Sequence, residues 1–218
     1  MKQAAALFDL DGVIVETAHF HYIAWKAIAQ QLNFDLTPAH NEALKGVSRV
    51  ASLQQLIHWS GTTISSDTFE HYLEEKNKHY LELIQQLNPA DALPGVVDTL
   101  RLLKENKIGI ALGSASKNAR SILERLAITS FFDAIIDGND VQNSKPDPEV
   151  FLKGAEAVGV APSNCVVFED AQAGIAAAQA AGMYAVGIGT PEVLDKADRC
   201  IPHFNALTPQ VLLNLFER

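Results

Sequence analysis

The chain has 218 residues and a formal net charge of −9, because 26 Asp and Glu outnumber 17 Lys and Arg. This acidic balance argues against nucleic acid and against anionic membrane surfaces as partners, since both attract clustered basic side chains. Hydrophobic residues make up 48% of the chain, which is enough to bury a core. There is no apolar run of about 18 residues that could span a membrane. We expect a cytoplasmic monomer whose cysteines, Cys165 and Cys200, are reduced.

Five short apolar runs predict buried strands, because strands covered on both faces are apolar throughout. In chain order the runs are residues 4–8, 108–112, 134–136, 165–168 and 184–188. Helical patterns accompany them at residues 96–105, 119–126, 148–158 and 171–181. The alternation of strand and helix predicts an α/β fold with a doubly wound parallel sheet.

One long segment interrupts this alternation. Residues 17–87 show no convincing strand, and they contain amphipathic helical patterns instead. Helix-start signals occur at Thr37-Pro38 and at Ser65-Ser66-Asp67. We therefore expect a helical cap domain of residues 17–87 inserted after the first strand. The α/β catalytic core is then made of residues 1–16 and 88–218.

Polar side chains follow four of the predicted strands, where ligands bind to open parallel sheets. They are Asp9 and Asp11, Ser114, Lys145, and Glu169 with Asp170. Clustered carboxylates repel one another unless a cation is present, and Mg²⁺ is held by carboxylates with water and phosphate. Ser114 and nearby backbone N–H groups suit a phosphate at a helix start, and Lys145 adds a positive charge.

The two aspartates of the first group suit phosphoryl transfer. One carboxylate can attack phosphorus to form an aspartyl phosphate, while the other exchanges a proton with the leaving or entering hydroxyl. Structural interpretations remain open for the same residues. Asp9 or Asp11 can cap a strand end, Ser114 can cap a helix, and Lys145 can be a solvated loop charge.

The segment Asp9-Leu-Asp-Gly-Val-Ile14, with Ser114, Lys145-Pro146 and Glu169-Asp170, resembles the four motifs of the haloacid dehalogenase superfamily in their usual order. The resemblance implies that Asp9 is the nucleophile and Asp11 the general acid and base. It implies that Ser114 and Lys145 hold the transferring phosphoryl group. The Mg²⁺ ligands that it implies are Asp9, the backbone carbonyl of Asp11, Glu169 and Asp170.

Further segments resemble one family of that superfamily, the β-phosphoglucomutases. The segments are residues 17–26, 44–49 and 75–77, with residues 114–118 of the core. This resemblance implies a phosphomutase that interconverts β-D-glucose 1-phosphate and glucose 6-phosphate. The intermediates it implies are an aspartyl phosphate and glucose 1,6-bisphosphate. The additional substrate contacts it implies are His21, Trp25, Lys45, Gly46, Val47, Ser48, Arg49, Asn77, Ala115, Ser116, Lys117 and Asn118.

Two other functions compete with this interpretation. A sugar-phosphate phosphatase of the same fold shares the core motifs, but it needs no second phosphate grip such as the planar fork of Arg49. A non-catalytic phosphate-sensing module shares the acidic pocket. Arg49 as a surface charge, Trp25 as a core residue and His21 as a packing residue also remain open. Glu16 and Ala171 depart from the family pattern, which commonly has Asp and Ser there.

Overall fold

The computed structural model describes residues 3–44 and 47–217. Their strands form one sheet of six strands, all parallel, in the order β3-β2-β1-β4-β5-β6. The strands are β1 (Ala5–Phe8), β2 (Gly109–Gly113), β3 (Ala134–Ile136), β4 (Cys165–Glu169), β5 (Tyr184–Ile188) and β6 (Arg199–Ile201). The predicted α/β fold with a parallel sheet is confirmed. The sequence prediction missed β6, a three-residue edge strand that begins with an exposed arginine.

Helices pack on the sheet, and they also make up most of residues 17–87. Four lie within residues 17–87, namely α1 (Ala18–Gln31), α2 (Pro38–Glu42), α3 (Arg49–Ser60) and α4 (Ser66–Leu83). The others are α5 (Val96–Glu105), α6 (Ala119–Arg125), α7 (Glu149–Val158), α8 (Gln172–Ala180) and α9 (Pro209–Leu213). The helices predicted around the sheet agree with α5, α6, α7 and α8 to within one residue at each end.

The apolar strands divide their side chains between two cores. In β1, Ala6 and Phe8 belong to the cluster on one face of the sheet, while Ala5 and Leu7 belong to the cluster on the other. All four side chains are completely buried. This two-sided burial explains why the strand reads as a continuous apolar run.

Three of these four helices, α1, α3 and α4, build a hydrophobic cluster of their own. Trp25 of α1, Leu53 and Leu56 of α3 and Leu73 of α4 lie in it. Both expected helix starts are present in this segment. Thr37 accepts a hydrogen bond from His40 N–H at the start of α2, and Ser65 accepts one from Thr68 N–H at the start of α4. The expected boundaries at residues 16/17 and 87/88 stay a prediction.

Strand order places a crevice beside β1. Since β1 pairs with both β2 and β4, the winding of the sheet reverses at this strand. Crevices that bind ligands form at such reversal points, beyond the carboxyl ends of the strands. Among the described residues, no helix is long and apolar enough to cross a membrane.

Candidate active site

Three strand ends meet at the reversal point of the sheet. Asp9 follows β1, and its backbone N–H donates to the carbonyl of Phe168 in β4 at 3.0 Å. Ser114 follows β2, and Glu169 is the last residue of β4. The in-register pairing of β1 with both neighbours puts these residues at one edge of the sheet. The structure thus brings together side chains that lie far apart in the sequence.

Lys145 is buried at this edge between two carboxylates. Its Nζ lies 2.5 Å from Asp9 Oδ1 and 2.8 Å from Glu169 Oε2, and 4.7 Å from the centre of the Phe151 ring. Burial alone lowers the pKa of a lysine, but the charges of the two carboxylates outweigh burial and raise the pKa of Lys145. The lysine is therefore a fixed positive charge in the site, and the alternative of a solvated loop charge is wrong.

Three carboxylates form a tight group around this charge. Oxygen atoms of Asp9, Glu169 and Asp170 all lie within 4.8 Å of one another. Burial and the charge of Asp9 raise the pKa of Glu169 to about 7, against the opposing effect of Lys145. Three carboxylates beside one ammonium leave an excess of negative charge. This donor set of close carboxylate oxygens fits a small divalent cation such as Mg²⁺.

The backbone of the loop after β1 packs directly against this group. Gly12 has φ +78°, and a Cβ built on it would lie 2.1 Å from Asp170 Oδ2. Any side chain at this position would both strain the backbone and displace the carboxylate. Glu169 is held from another side, because the N–H of Ala171 donates to its Oε1 at 3.1 Å.

Asp11 occupies a different environment from Asp9. Thr17 Oγ1 donates to Asp11 Oδ1, and Tyr80 in turn donates its hydroxyl to Thr17 Oγ1 at 3.3 Å. Burial and the nearby charge of Asp9 raise the pKa of Asp11 to about 7. A carboxyl group with this pKa can both give and accept a proton near neutral pH. Its carboxylate is not part of the close group of three, and the expected Mg²⁺ contact through its backbone carbonyl stays a prediction.

His21 links Asp11 to a buried lysine that the sequence analysis did not select. His21 Nε2 lies 3.9 Å from Asp11 Oδ2, and Lys76 Nζ lies 2.8 Å from His21 Nδ1. Burial and the charges of Lys76 and Arg49 hold the pKa of His21 well below its usual range. A neutral imidazole has one nitrogen that accepts and one that donates, and in His21 Nδ1 faces Lys76 while Nε2 faces Asp11.

Lys76 is almost completely buried on α4. Its ammonium lies 5.0 Å from the Trp25 ring centre and 4.5 Å from that of Tyr80. Burial and the charge of Arg49 lower the pKa of Lys76 to about 7. A sequence signal for this residue does exist, since Lys76 lies three residues after Leu73 and four before Tyr80, at a position of the helical repeat that is otherwise apolar. A lysine at such a position is buried only when it has partners.

Ser114 begins a loop that runs to Asn118. Ser114 Oγ accepts from Ser116 N–H at 3.1 Å, and Ser116 Oγ accepts from Asn118 N–H at 3.3 Å. The helix α6 begins only at Ala119, so Ser114 neither caps it nor lies at its start. At the far end of the loop, Asn118 Nδ2 donates to Asn77 Oδ1 of α4 at 2.9 Å. The loop therefore reaches from the sheet edge to the inserted helices.

A cleft lies between the sheet edge and the inserted helices. Arg49, the first residue of α3, and Trp25 line it opposite Asp9, and Ser52 and Lys76 line the same wall. The other expected residues at its surface are Asp11, His21, Val47, Ser114, Ala115, Ser116, Lys117, Asn118 and Asp170. The sequence analysis missed Ser52, whose short side chain follows Arg49 in the first turn of α3.

Six expected site residues do not line the cleft or lie outside the described residues. Lys145 and Glu169 are buried and pair with each other. Asn77 is engaged by Asn118, and Ser48 accepts from Ala51 N–H as the cap of α3. Lys45 and Gly46 lie outside the described residues, so the expectations for both stay predictions.

The two departures from the family pattern have local structural roles. Glu16 Oε1 accepts from Ala18 N–H at 2.8 Å at the start of α1. Ala171 stands at the start of α8, which has no side-chain cap there. Glu16 thus offers a carboxylate as Asp would, and Ala171 contributes its backbone N–H to Glu169.

Comparison with known proteins identifies the class of this fold and site. The family model described as "Hydrolase: haloacid dehalogenase-like hydrolase" matches residues 4–182. The chain therefore belongs to the haloacid dehalogenase-like hydrolase family, and the sequence resemblance to that superfamily is confirmed.

Within this family, the chain is similar to β-phosphoglucomutases over nearly its whole length. It is 41% identical to β-phosphoglucomutase of Bacillus subtilis, over 98% of this chain and 96% of that protein. It is 40% identical to the crystal structure of β-phosphoglucomutase from Clostridium difficile, with a TM-score of 0.95, over 99% of this chain and 97% of that one. A phosphorylated carbohydrates phosphatase of Thermotoga maritima is 31% identical over 82% of each chain.

Proposed function

We propose that this protein is a phosphomutase that interconverts β-D-glucose 1-phosphate and glucose 6-phosphate. The reaction passes through an aspartyl phosphate on Asp9 and a glucose 1,6-bisphosphate. The observation that carries the proposal is the presence of Arg49 in the wall of the cleft opposite Asp9. A sugar bisphosphate needs a cationic side chain for its phosphate on either side of the cleft.

Asp9 is the proposed nucleophile. One of its carboxylate oxygens attacks phosphorus of the bisphosphate, and the bond between phosphorus and the sugar oxygen breaks. The products are phospho-Asp9 and a glucose monophosphate. The ammonium of Lys145, within contact distance of Asp9, stabilises the negative charge of the transferring group, and Ser114 supplies hydrogen-bonding groups beside it.

Asp11 is the proposed acid and base of both half-reactions. It gives a proton to the sugar oxygen that leaves phosphorus in the first half-reaction. It takes a proton from the sugar hydroxyl that attacks phospho-Asp9 in the second. The raised pKa of Asp11, about 7, supports this role, because both protonation states are populated near neutral pH. His21 and Thr17 orient the carboxyl group.

Asp9, Glu169 and Asp170 are the side chains proposed to hold Mg²⁺. When bound there, the cation supplies positive charge that offsets the repulsion between an anionic phosphoryl group and the carboxylates. The chain itself contributes Lys145, which keeps Asp9 and Glu169 oriented toward the same point.

Closure of the cleft is the proposed basis for transfer to sugar in preference to water. The hydrogen bond between Asn118 and Asn77 joins the core loop to α4 across the cleft. Excluding water from phospho-Asp9 prevents its hydrolysis during the exchange of the two sugar phosphates. Arg49 binds the phosphate that is not reacting, so either end of the sugar can face Asp9.

A coupled assay tests this function directly. Purified protein receives β-glucose 1-phosphate, Mg²⁺ and a trace of glucose 1,6-bisphosphate, while glucose 6-phosphate formation and phosphate release are followed in parallel. We expect isomerisation to be much faster than phosphate release, and Asp9→Asn to abolish it. A panel of other β-hexose 1-phosphates then identifies the preferred sugar. Phosphate release that outpaces isomerisation on every sugar would falsify the proposal.

A sugar-phosphate phosphatase is the second candidate. It is favoured by the similarity to the Thermotoga maritima phosphatase, which covers 82% of this chain. Such an enzyme needs Asp9, Asp11 and Lys145 but has no use for a second phosphate grip. Substitution of Arg49 separates the two functions, since it weakens a mutase and leaves the hydrolysis of a small monophosphate unchanged.

A further inference from the structure

The loop after β3 holds a polar network that the proposed chemistry does not use. Its central residue is Asp137, whose carboxylate is almost completely buried, with 1% of the residue exposed. Asp137 Oδ1 accepts from both the backbone N–H and the side-chain amide of Asn139, at 2.8 and 2.9 Å. Asp137 Oδ2 lies 3.3 Å from Nε of Arg120. A buried carboxylate with this many partners is fixed in one orientation.

The same loop contacts consecutive residues of the loop from Ser114 to Asn118. Asn139 Nδ2 donates to the carbonyl of Lys117 at 3.2 Å, and Gly138 N–H donates to the carbonyl of Ser116 at 3.3 Å. A Cβ built on Gly138 would lie 2.4 Å from the carbonyl oxygen of Ala115. The two loops therefore pack backbone against backbone, with no room for a side chain between them.

These contacts orient the peptide groups that face the cleft. In a trans peptide the carbonyl and the following N–H point in opposite directions. Holding the carbonyl of Ser116 toward Gly138 turns the N–H of Lys117 away from that loop. Holding the carbonyl of Lys117 toward Asn139 does the same for the N–H of Asn118, which donates to Ser116 Oγ within the loop. Ser116, Lys117 and Asn118 all line the cleft.

The network is also tied to the helix that follows the cleft loop. Arg120 lies in the first turn of α6, and its Nη2 donates to the carbonyl of Ile135 at 2.7 Å. Its Nη2 also lies 3.4 Å from Asp140 Oδ2. The segment from Ser116 to Asn118 is consequently held both from the side, by Asn139, and from its downstream end, by Arg120.

We propose that Asp137 and Asn139 are positioning residues for the grip on the non-reacting phosphate. Asp137 fixes the amide of Asn139, and that amide fixes the peptide between Lys117 and Asn118. The segment held in this way binds the phosphate with Arg49 through the N–H of Lys117 and its side chains. The inference rests on the proposed function, because only a substrate with a second phosphate uses this part of the cleft. Ser114 and Lys145 act on the transferring group, whereas the side chain of Asn139 bonds to the carbonyl of Lys117 and to Asp137.

The test compares two phosphoryl donors in Asn139→Ala. Asn139 is exposed, so its truncation is compatible with folding. Loss of one orienting hydrogen bond is expected to raise KM for glucose 1,6-bisphosphate about fivefold, with kcat changed less than about twofold. Phosphorylation of Asp9 by acetyl phosphate, which has no second phosphate, is expected to keep its rate. Gln142→Ala, an exposed amide of the same loop, is the matched control.

A second variant tests the origin of the effect. Asp137→Asn keeps the shape of the side chain but removes its charge opposite Arg120, and it is expected to raise the same KM. An unchanged KM in Asn139→Ala overturns the proposal. An equal loss with acetyl phosphate and the bisphosphate also overturns it, because that result means general damage to the site. Absence of mutase activity in the unsubstituted protein instead refutes the proposed function, and its acetyl phosphate reaction then still reports an intact core.

Discussion

The two ends of the cleft carry positive charge in different ways. At the core end, Lys145 is fully buried, touches two carboxylates and has a raised pKa. At the cap end, Arg49 makes one long hydrogen bond of 3.5 Å to the carbonyl of Leu73, and the pKa of Lys76 is lowered to about 7. Within the described residues, no carboxylate lies within 4 Å of either cap cation. The lysine charge at the core end is therefore already paired with carboxylates in the absence of substrate. The cations at the cap end have no such carboxylate partner among the described residues and can pair with a phosphate.

The largest expected effect comes from the core end. Asp9→Asn keeps the size of the side chain but removes the nucleophile, so mutase activity is expected to fall by at least about 10⁴-fold. Incubation with glucose 1,6-bisphosphate or acetyl phosphate should leave no covalent phosphate on the variant, as measured by intact-protein mass spectrometry. Comparable turnover by this variant would exclude an aspartyl phosphate at residue 9.

Asp11 lies between the two ends, and its substitution separates proton transfer from nucleophilic attack. Asp11→Asn is expected to slow the mutase reaction by about 10²- to 10⁴-fold, because the amide cannot exchange a proton with the sugar oxygen. Acetyl phosphate has a leaving group that needs no proton, so phosphorylation of Asp9 by this donor should slow much less. The measurement is the ratio of the two rates, and equal losses contradict the assigned role.

Substitution at the cap end is expected to affect binding more than chemistry. Arg49→Lys keeps the positive charge but loses the planar fork, so KM for β-glucose 1-phosphate should rise about 10-fold or more, with a smaller change in kcat. Hydrolysis of a small monophosphate should be unaffected. Arg101→Lys, an exposed pair partner of Asp98 on α5, is the control. A loss confined to kcat would place Arg49 at the reacting phosphate instead.

Metal binding is expected to be visible in stability as well as in activity. Mg²⁺ at about 100 times its Kd should raise the free energy of unfolding by about 2.7 kcal/mol. Chelation should abolish turnover. In Asp170→Asn, which removes one carboxylate from the group of three, the stabilisation by Mg²⁺ should shrink or vanish in thermal melts. An undiminished shift in this variant would mean that the cation binds elsewhere.

The smallest effect concerns the pH dependence of stability at the cap end. Lys76 has a pKa of about 7 in the folded protein and an ordinary, higher value when unfolded. The unfolded chain thus binds more protons between about pH 7 and pH 10, and this lysine makes stability rise with pH there. Lys76→Met should therefore stabilise the protein most at low pH, and its advantage should shrink by about pH 9.5 in urea titrations.

The control for that experiment is Lys78→Met on the exposed side of the same helix. Its effect on stability should show no comparable pH dependence. A constant difference between Lys76→Met and the unsubstituted protein across this pH range would mean that Lys76 is not buried as an amine with a lowered pKa.

The contrast between the core end and the cap end of the cleft also explains which site residues could be predicted from the sequence. Asp9, Ser114 and Glu169 each follow or end an apolar run, and a parallel sheet has to bring such positions to one edge. The cap offers no comparable rule. The burial of Lys76 depends on how α1 and α4 pack, because its partners His21 and Trp25 are more than 50 residues away. Periodicity identified its helix but not its partners.

The same limit applies to the loop geometry of the core. The pattern placed Ser114 near a helix start, yet four residues separate it from the first residue of α6. Those residues are shaped by contacts with Asn139 and Gly138, which follow a different strand. The edge strand β6 was missed because three residues that include an exposed arginine form no apolar run. Tertiary contacts decide such details, whereas local composition does not.

The packing of Lys76 over Trp25 also gives the molecule an optical reporter. The chain has two tryptophans, Trp25 and Trp59, and only Trp25 lines the cleft. In Trp59→Phe, all indole emission comes from Trp25, whose ring centre lies 5.0 Å from Lys76 Nζ in the lining of the cleft. Binding of a sugar phosphate in the cleft should then change the brightness of a single fluorophore. The rate of the proposed closure should become readable in a stopped-flow fluorimeter without any attached dye.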